Sequence, residues 1–112
     1  MIDVNEEAAR VLDTLPYNVV YQSPEKLAAL PAVSYYTLTE GNGFMADNSG
    51  VSMVAYIQVD VWSAVPSETA KMAAAVYDVL TAAGWHRDFI RDTAPTDGVY
   101  HKTARFCREF IY

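Results

Sequence analysis

Between Val51 and Ser63 the chain alternates without a break. Val51, Met53, Ala55, Ile57, Val59 and Val61 are interleaved with Ser52, Val54, Tyr56, Gln58, Asp60 and Trp62. A period of two over this length is a β-strand with one apolar and one mixed face. Thirteen extended residues span about 43 Å at about 3.3 Å each. A compact chain of 112 residues has a radius of gyration of about 13 Å, hence a diameter of about 35 Å. The strand must therefore bend at a bulge or project beyond the globule. If it projects, residues 32–40 are its partner and residues 41–50 a flexible loop at the tip. The product is an extended β-hairpin arm carrying Phe44 and Met45 near its end. A lone hairpin is only marginally stable, and its open edge accepts a neighbour's strand, so an arm points to assembly.

The rest of the chain supplies two helices and four more strands. Val4, Ala8, Val11, Leu12 and Leu15 fall on one helical face over residues 3–15. Asp3 is placed to cap that helix with Glu6 three residues on, and Pro16 stops it. Tyr17–Tyr21 reads as a short strand. Ser23-Pro24-Glu25 opens a brief helical turn, and residues 32–39 are β-rich. Pro66 starts a second helix to Ala83, with a core stripe of Ala70, Ala73, Val76, Tyr77, Leu80 and Ala83 and a Gly84 cap. Strands at about Trp85–Arg91 and Val99–Tyr112 flank a turn over Ala94–Gly98. The order α-β-(short α)-β-β-α-β-β predicts one α+β domain over residues 1–112. Its sheet is mostly antiparallel, with two helices packed on one face.

Composition removes several classes. One Cys makes no internal disulfide. No stretch is apolar for long enough to form a membrane-spanning helix. The acidic start, Asp3 to Glu7, does not read as a signal peptide. A net charge of −6 and a pI near 4.6 argue against non-specific nucleic-acid binding. The charge is uneven. Residues 1–84 carry three basic against ten acidic side chains, net −7, and residues 85–112 carry five against four, net +1. An acidic body with a relatively basic tail suits head-to-tail self-association, although scattered surface charge has the same composition.

Catalytic equipment is sparse. His86 and His101 lie in no metal-binding spacing, and both read as sheet-face residues. Cys107 shares a strand face with His101, but six residues along a strand is about 20 Å, so His101 cannot activate it. His86 reaches Cys107 only if its strand pairs in the right register, and a buried inert thiol is the simpler reading. Asp60 has no second carboxylate nearby in sequence and is expected to pair with a C-terminal Arg. There is no phosphate-binding or nucleophile-elbow motif. No catalytic residue, cofactor or metal is expected. The eight tyrosines and two tryptophans suit either cross-strand core or a protein interface.

The layout resembles a known family. The pieces that carry the likeness are Gln58-Val59-Asp60-Val61-Trp62 leading into the Ala-rich helix, and Tyr100-His101-Lys102 with Arg105-Phe106. They resemble the small tail-completion and tail-terminator (head–tail joining) proteins of long-tailed phages and prophages, over nearly the whole chain. The resemblance implies a non-enzymatic virion subunit made in the host bacterial cytoplasm. It forms a ring with itself, typically a hexamer, at the head-proximal end of the tail tube. Its partners would be the tail-tube protein and the head connector or neck protein, with DNA passing through unbound and no membrane involved. An acidic body suits such a conduit, since like charge keeps the duplex from sticking. The contacts are expected from Phe44, Met45 and Asp47 in the loop and from Arg87, Arg91, Lys102 and Arg105 in the basic segment. Two alternatives stand beside this reading. One is a small oligomeric ligand-binding domain or cofactor-independent enzyme, with Tyr36, Tyr56, Trp62 and His86 lining a pocket between sheet and helices. The other is a head-closure or different neck protein.

Overall fold

The structure, a computed structural model, describes residues 3–21, 29–42 and 52–111. The elements are α1 (Val4–Leu12), β1 (Asn18–Tyr21), β2 (Ala32–Asn42), β3 (Ser52–Ser63), α2 (Pro66–Ala82), β4 (His86–Thr96) and β5 (Val99–Ile111). This is the expected α+β order. The brief helical turn at Ser23–Glu25 and the loop residues 43–50, with Phe44, Met45 and Asp47, lie outside the described residues.

One five-stranded sheet runs β1-β2-β3-β5-β4. The β1–β2 pair is parallel and every other pair antiparallel. The molecule is elongated, 50 Å along one axis against 25 and 21 Å. A β3 of 12 residues, about 40 Å long, fits only along that axis. It does not stand free of the body: every β3 residue is buried or half-buried, and Met53 near its start and Phe110 opposite it belong to the core cluster. Its partner strand carries a bulge, at the register shift between Thr37 and Thr39. β5 pairs with β3 over its whole length, from Ser52↔Ile111 to Ser63↔Tyr100, so the expected hairpin arm is instead the middle of the sheet.

Both helices pack on one face. α1 buries Val4, Ala8, Val11 and Leu12, with Leu15 beyond it. Asp3 caps it by accepting from the Glu6 amide at 3.1 Å. The helix ends at Leu12, three residues early, because the Thr14 and Leu15 amides already close tighter turns onto the Val11 and Leu12 carbonyls. α2 buries Thr69, Met72, Val76 and Leu80. The expected stripe holds at Val76 and Leu80, with Ala73 and Ala83 partly buried against the core; it is corrected at Ala70 and Tyr77, which face outward, and at Met72, a core residue it did not include. Beneath the helices lie Val33, Tyr35, Ala55, Ile57, Val59, Val61, Ala104, Phe106 and Phe110.

β4 runs through Ala94–Thr96, where a turn was expected. The turn contracts to Asp97-Gly98, both at positive φ (53° and 75°), between paired Thr96 and Val99. Two left-handed residues in a two-residue hairpin match the twist of the strands, which is why Asp-Gly outweighs the preceding proline.

Candidate functional site

No described element packs on the other face of the sheet. Antiparallel partners share a face, so the register assigns its occupants. Tyr36 pairs with Gln58, Asp60 with Thr103, Trp62 with His101, and Arg91 with Thr103 from the far side. Leu38, at the β2 bulge, and Phe89 stand 42% and 43% exposed there. A solvated sheet face normally alternates to polar side chains. This one is rich in aromatics and arginine and lacks lysine at its centre, the composition that protein interfaces favour.

At the upper end of this face sits a buried polar cluster. Asp60 is 1% exposed although no helix covers it. Gln58 Nε2 donates to its two oxygens at 3.0 and 3.3 Å. His101 Nε2 approaches Oδ1 to 3.0 Å without the alignment of a hydrogen bond. Trp62 stacks on the His101 ring at 3.7 Å and 10°, and its Nε1 donates to Ser34 Oγ at 3.0 Å. The stack is therefore pinned and shields the carboxylate. The expected Arg partner for Asp60 is not found. Arg105 sits opposite Gln58 and donates through Nε to Asp88 Oδ1 at 3.1 Å, a bond that raises the pKa of its guanidinium further. The ionisable group set against this carboxylate is His101, whose ring is covered on one side by Trp62.

The four cations expected at an interface divide between the two sides of the sheet. Arg91 and Arg105 lie on the bare face, 5.8 and 5.9 Å from the Phe89 ring. Arg87 covers the Tyr77 ring at 4.5 Å on the helix side, where Lys102 Nζ also donates to Asp92 Oδ1 at 2.6 Å. The bulge between Arg87 and Phe89 places Asp88 beside Arg105. Leu38, Asp88 and Phe89 were not singled out from sequence. The Phe89-x-Arg91-x-Thr93 alternation was the available signal, hidden by the irregular register before it.

His86 does face Cys107 across the β4–β5 pair. The thiol is half-buried rather than buried. Burial, then the charge of Asp88, pushes its pKa up, which keeps it a protonated thiol and a poor nucleophile. Tyr36, Tyr56, Trp62 and His86 do not line a pocket between sheet and helices, since all four belong to the opposite face; the cleft of about 310 Å³ on the helix side lies between the start of α2 (Pro66, Thr69, Ala70) and Asp92, Tyr100 and Lys102 and includes none of them. The hollows on the bare face are open clefts. One of about 450 Å³ lies among Leu38, Thr39, Tyr56, Asp88 and Arg105, and one of about 260 Å³ reaches Phe89 and Arg91. Among the described residues no three His, Cys, Asp or Glu side chains cluster to hold a metal. No described helix is long and apolar enough to cross a membrane.

No protein-family model and no curated protein matches the chain at the sequence level. Solved structures do match in fold. A chain from the virion of a native gene transfer agent particle is similar with a TM-score of 0.64 at 19% identity, over 94% of this chain and 84% of that one. The gp17 protein of bacteriophage SPP1 is similar with a TM-score of 0.57 at 17% identity, over 96% and 87%. The fold of this chain is thus one also found in a gene-transfer-agent virion and in a phage protein.

Proposed function

We propose that this chain is a structural subunit of a phage or prophage virion. In this reading it acts as a tail terminator or tail-completion protein, forming a ring that caps the tail tube and joins it to the head connector. The observation that carries the reading is the fold shared, over 94% of the chain, with a component of a gene-transfer-agent virion. The likeness to a bacteriophage protein supports it, as does the family resemblance of the Gln58–Trp62 and Tyr100–Phe106 segments. The physical features suit the role. The bare face has interface composition and no enclosed cavity for a substrate. A ring is closed by heterologous contacts between two different surfaces of one subunit. Here the two sides of the sheet differ in kind.

The test is negative-stain microscopy of tail tubes assembled with and without the chain. Tubes made with it should end in a ring at one end and stop at a defined length. Tubes that grow equally in its presence, with no added density at either end, would remove the reading. Density only on purified head connectors would assign the chain to head closure instead.

A further inference from the structure

The sheet ends on a long strand whose outer edge no described element covers. In the order β1-β2-β3-β5-β4, β4 has β5 on one side only. Its outer side presents unpaired N–H and C=O groups, a template for one more strand. All of its 11 residues except Thr93 are exposed, Phe89 at 43% and Ile90 at 36% among them. Proteins blunt such edges with bulges and proline. β4 carries both, a bulge at Asp88 and Pro95 near its end. Between them residues 89–93 keep unbroken register with β5, from Phe89↔Arg105 to Thr93↔His101. Over that stretch the outward backbone groups come at regular spacing.

Charge selects the strand that fits. The exposed run holds Arg87, Asp88, Arg91 and Asp92, and read backwards it puts an acid for each base and a base for each acid. In a regular strand Arg87 and Asp92 would stand on opposite faces. The extra residue at the bulge changes that. Arg87 and Asp92 pair with Phe106 and Lys102 on the helix side, while Asp88 and Arg91 lie on the bare side. Neither arginine has an ion pair among the described residues: Arg87 covers the Tyr77 ring and Arg91 meets the Phe89 ring. Asp88 is bonded to Arg105 and Asp92 to Lys102, each through Oδ1. A carboxylate accepts further bonds through its second oxygen, and the Asp92 side chain is 77% exposed.

We infer that two copies of this chain pair edge to edge through β4, antiparallel about a two-fold axis at Ile90, joining their five-stranded sheets into one. An axis normal to the sheet keeps both helix layers on one side, so residues opposite each other share a face. Centred on Ile90, Phe89 of each copy stands opposite Arg91 of the other. The bulged residues Arg87 and Asp88 stand opposite Asp92. Charges across the edge are then opposite on both faces, Arg87 with Asp92 on the helix side and Asp88 with Arg91 on the bare side. Centring on Arg91 or Asp92 instead sets like charges against each other, which is destabilising. The other sheet edge, β1, is a poorer occupant: its four residues, Asn18–Tyr21, are uncharged and answer none of these groups. The inference goes beyond the proposed role, since a two-fold contact closes at two copies and cannot itself close a larger ring. About seven paired residues span only about 23 Å, so the pair should be weak and form at high protein concentration.

The experiment is sedimentation equilibrium of the full chain with charge reversals, joined to cysteine cross-linking. Arg87→Asp and Asp92→Arg, each alone, should lose roughly tenfold or more in dimer association constant. Both reversals in one chain should recover to within about threefold of the parent protein, because the two-fold axis sets each against the other. Cross-linking reads the register without touching charge. Residues directly opposite in an antiparallel pair have Cα atoms about 4.5–5.5 Å apart, within the span of a disulfide. Ile90→Cys should therefore give a covalent dimer on mild oxidation. Thr93→Cys, and the parent with Cys107 as its only thiol, should stay monomeric under the same conditions. A monomer at every concentration, a dimer that the single reversals leave unchanged, or cross-linking at Thr93→Cys in place of Ile90→Cys overturns the pairing. None of these outcomes touches the ring, which rests on the behaviour of tail tubes.

Discussion

On its helix-covered face the sheet presents Ile57, Val59 and Phe106 to Val4, Leu12, Met72 and Leu80, all essentially sealed from water. On the other it presents Leu38 and Phe89 to solvent and seals a carboxylate, Asp60, beneath a Trp–His stack. The two faces share backbone and register, so they differ only in the side chains at alternate positions. The first is apolar and closed, which serves stability. The second leaves apolar and cationic groups open where stability does not require them, and those groups are the ones an assembly contact can use.

The largest expected effect is on the closed face. Phe106→Ala removes a ring 1% exposed and should cost about 3–5 kcal/mol in urea unfolding. A cost below about 1 kcal/mol would mean that this face is not the core. Next comes the polar cluster. His101→Ala strips the stack from Asp60 and should cost about 1–3 kcal/mol, with coupling to Asp60→Asn in a double-mutant cycle. Strict additivity would show that the 3.0 Å approach contributes nothing.

The third effect is on pH dependence. Burial raises the pKa of Tyr35, with Asp13 adding to it, and burial then the Asp60 charge raises that of Tyr36, both from 10.0. A raised native pKa means the folded state resists ionisation that the unfolded chain accepts. The stabilisation is complete below about pH 10 and lost as pH rises through the native values. Unfolding free energy should therefore fall at alkaline pH, and Tyr36→Phe should fall less steeply; an identical slope would separate Tyr36 from the effect. The smallest expected change is in the stability of Phe89→Ser on the open face, within about 0.5 kcal/mol in thermal unfolding. A larger loss would mean that Phe89 serves the fold and that the two faces are less distinct than described.

Much of the fold was legible because the period of β3 is unambiguous and α1 has a clean apolar stripe with a cap and a stop. The α2 stripe was right at Val76 and Leu80 but took in Ala70 and Tyr77 and missed Met72, since alanine-rich helices look apolar on several sides and the alanines alone do not say which side is the core. Pro95 suggested a turn, yet it sits on an edge strand where proline is tolerated. The candidate site was the less legible part. The cations were visible, and the parity of β5 alone separates Lys102 from Arg105, but the separation of Arg87 from Arg91 depends on the bulge before Phe89, which strand periodicity does not reveal. Asp60 drew attention as an acid in an apolar strand. Its partners come from the β3–β5 register, which brings His101 rather than an Arg to the cluster.

The central proposal, that this chain builds an assembly, is tested most directly by native mass spectrometry of the protein alone and with the tail-tube protein proposed as its partner. The account predicts closed oligomers at multiples of the 12.4 kDa subunit mass, strengthened or first appearing when the tube is present. Only the 12.4 kDa monomer under both conditions would contradict it.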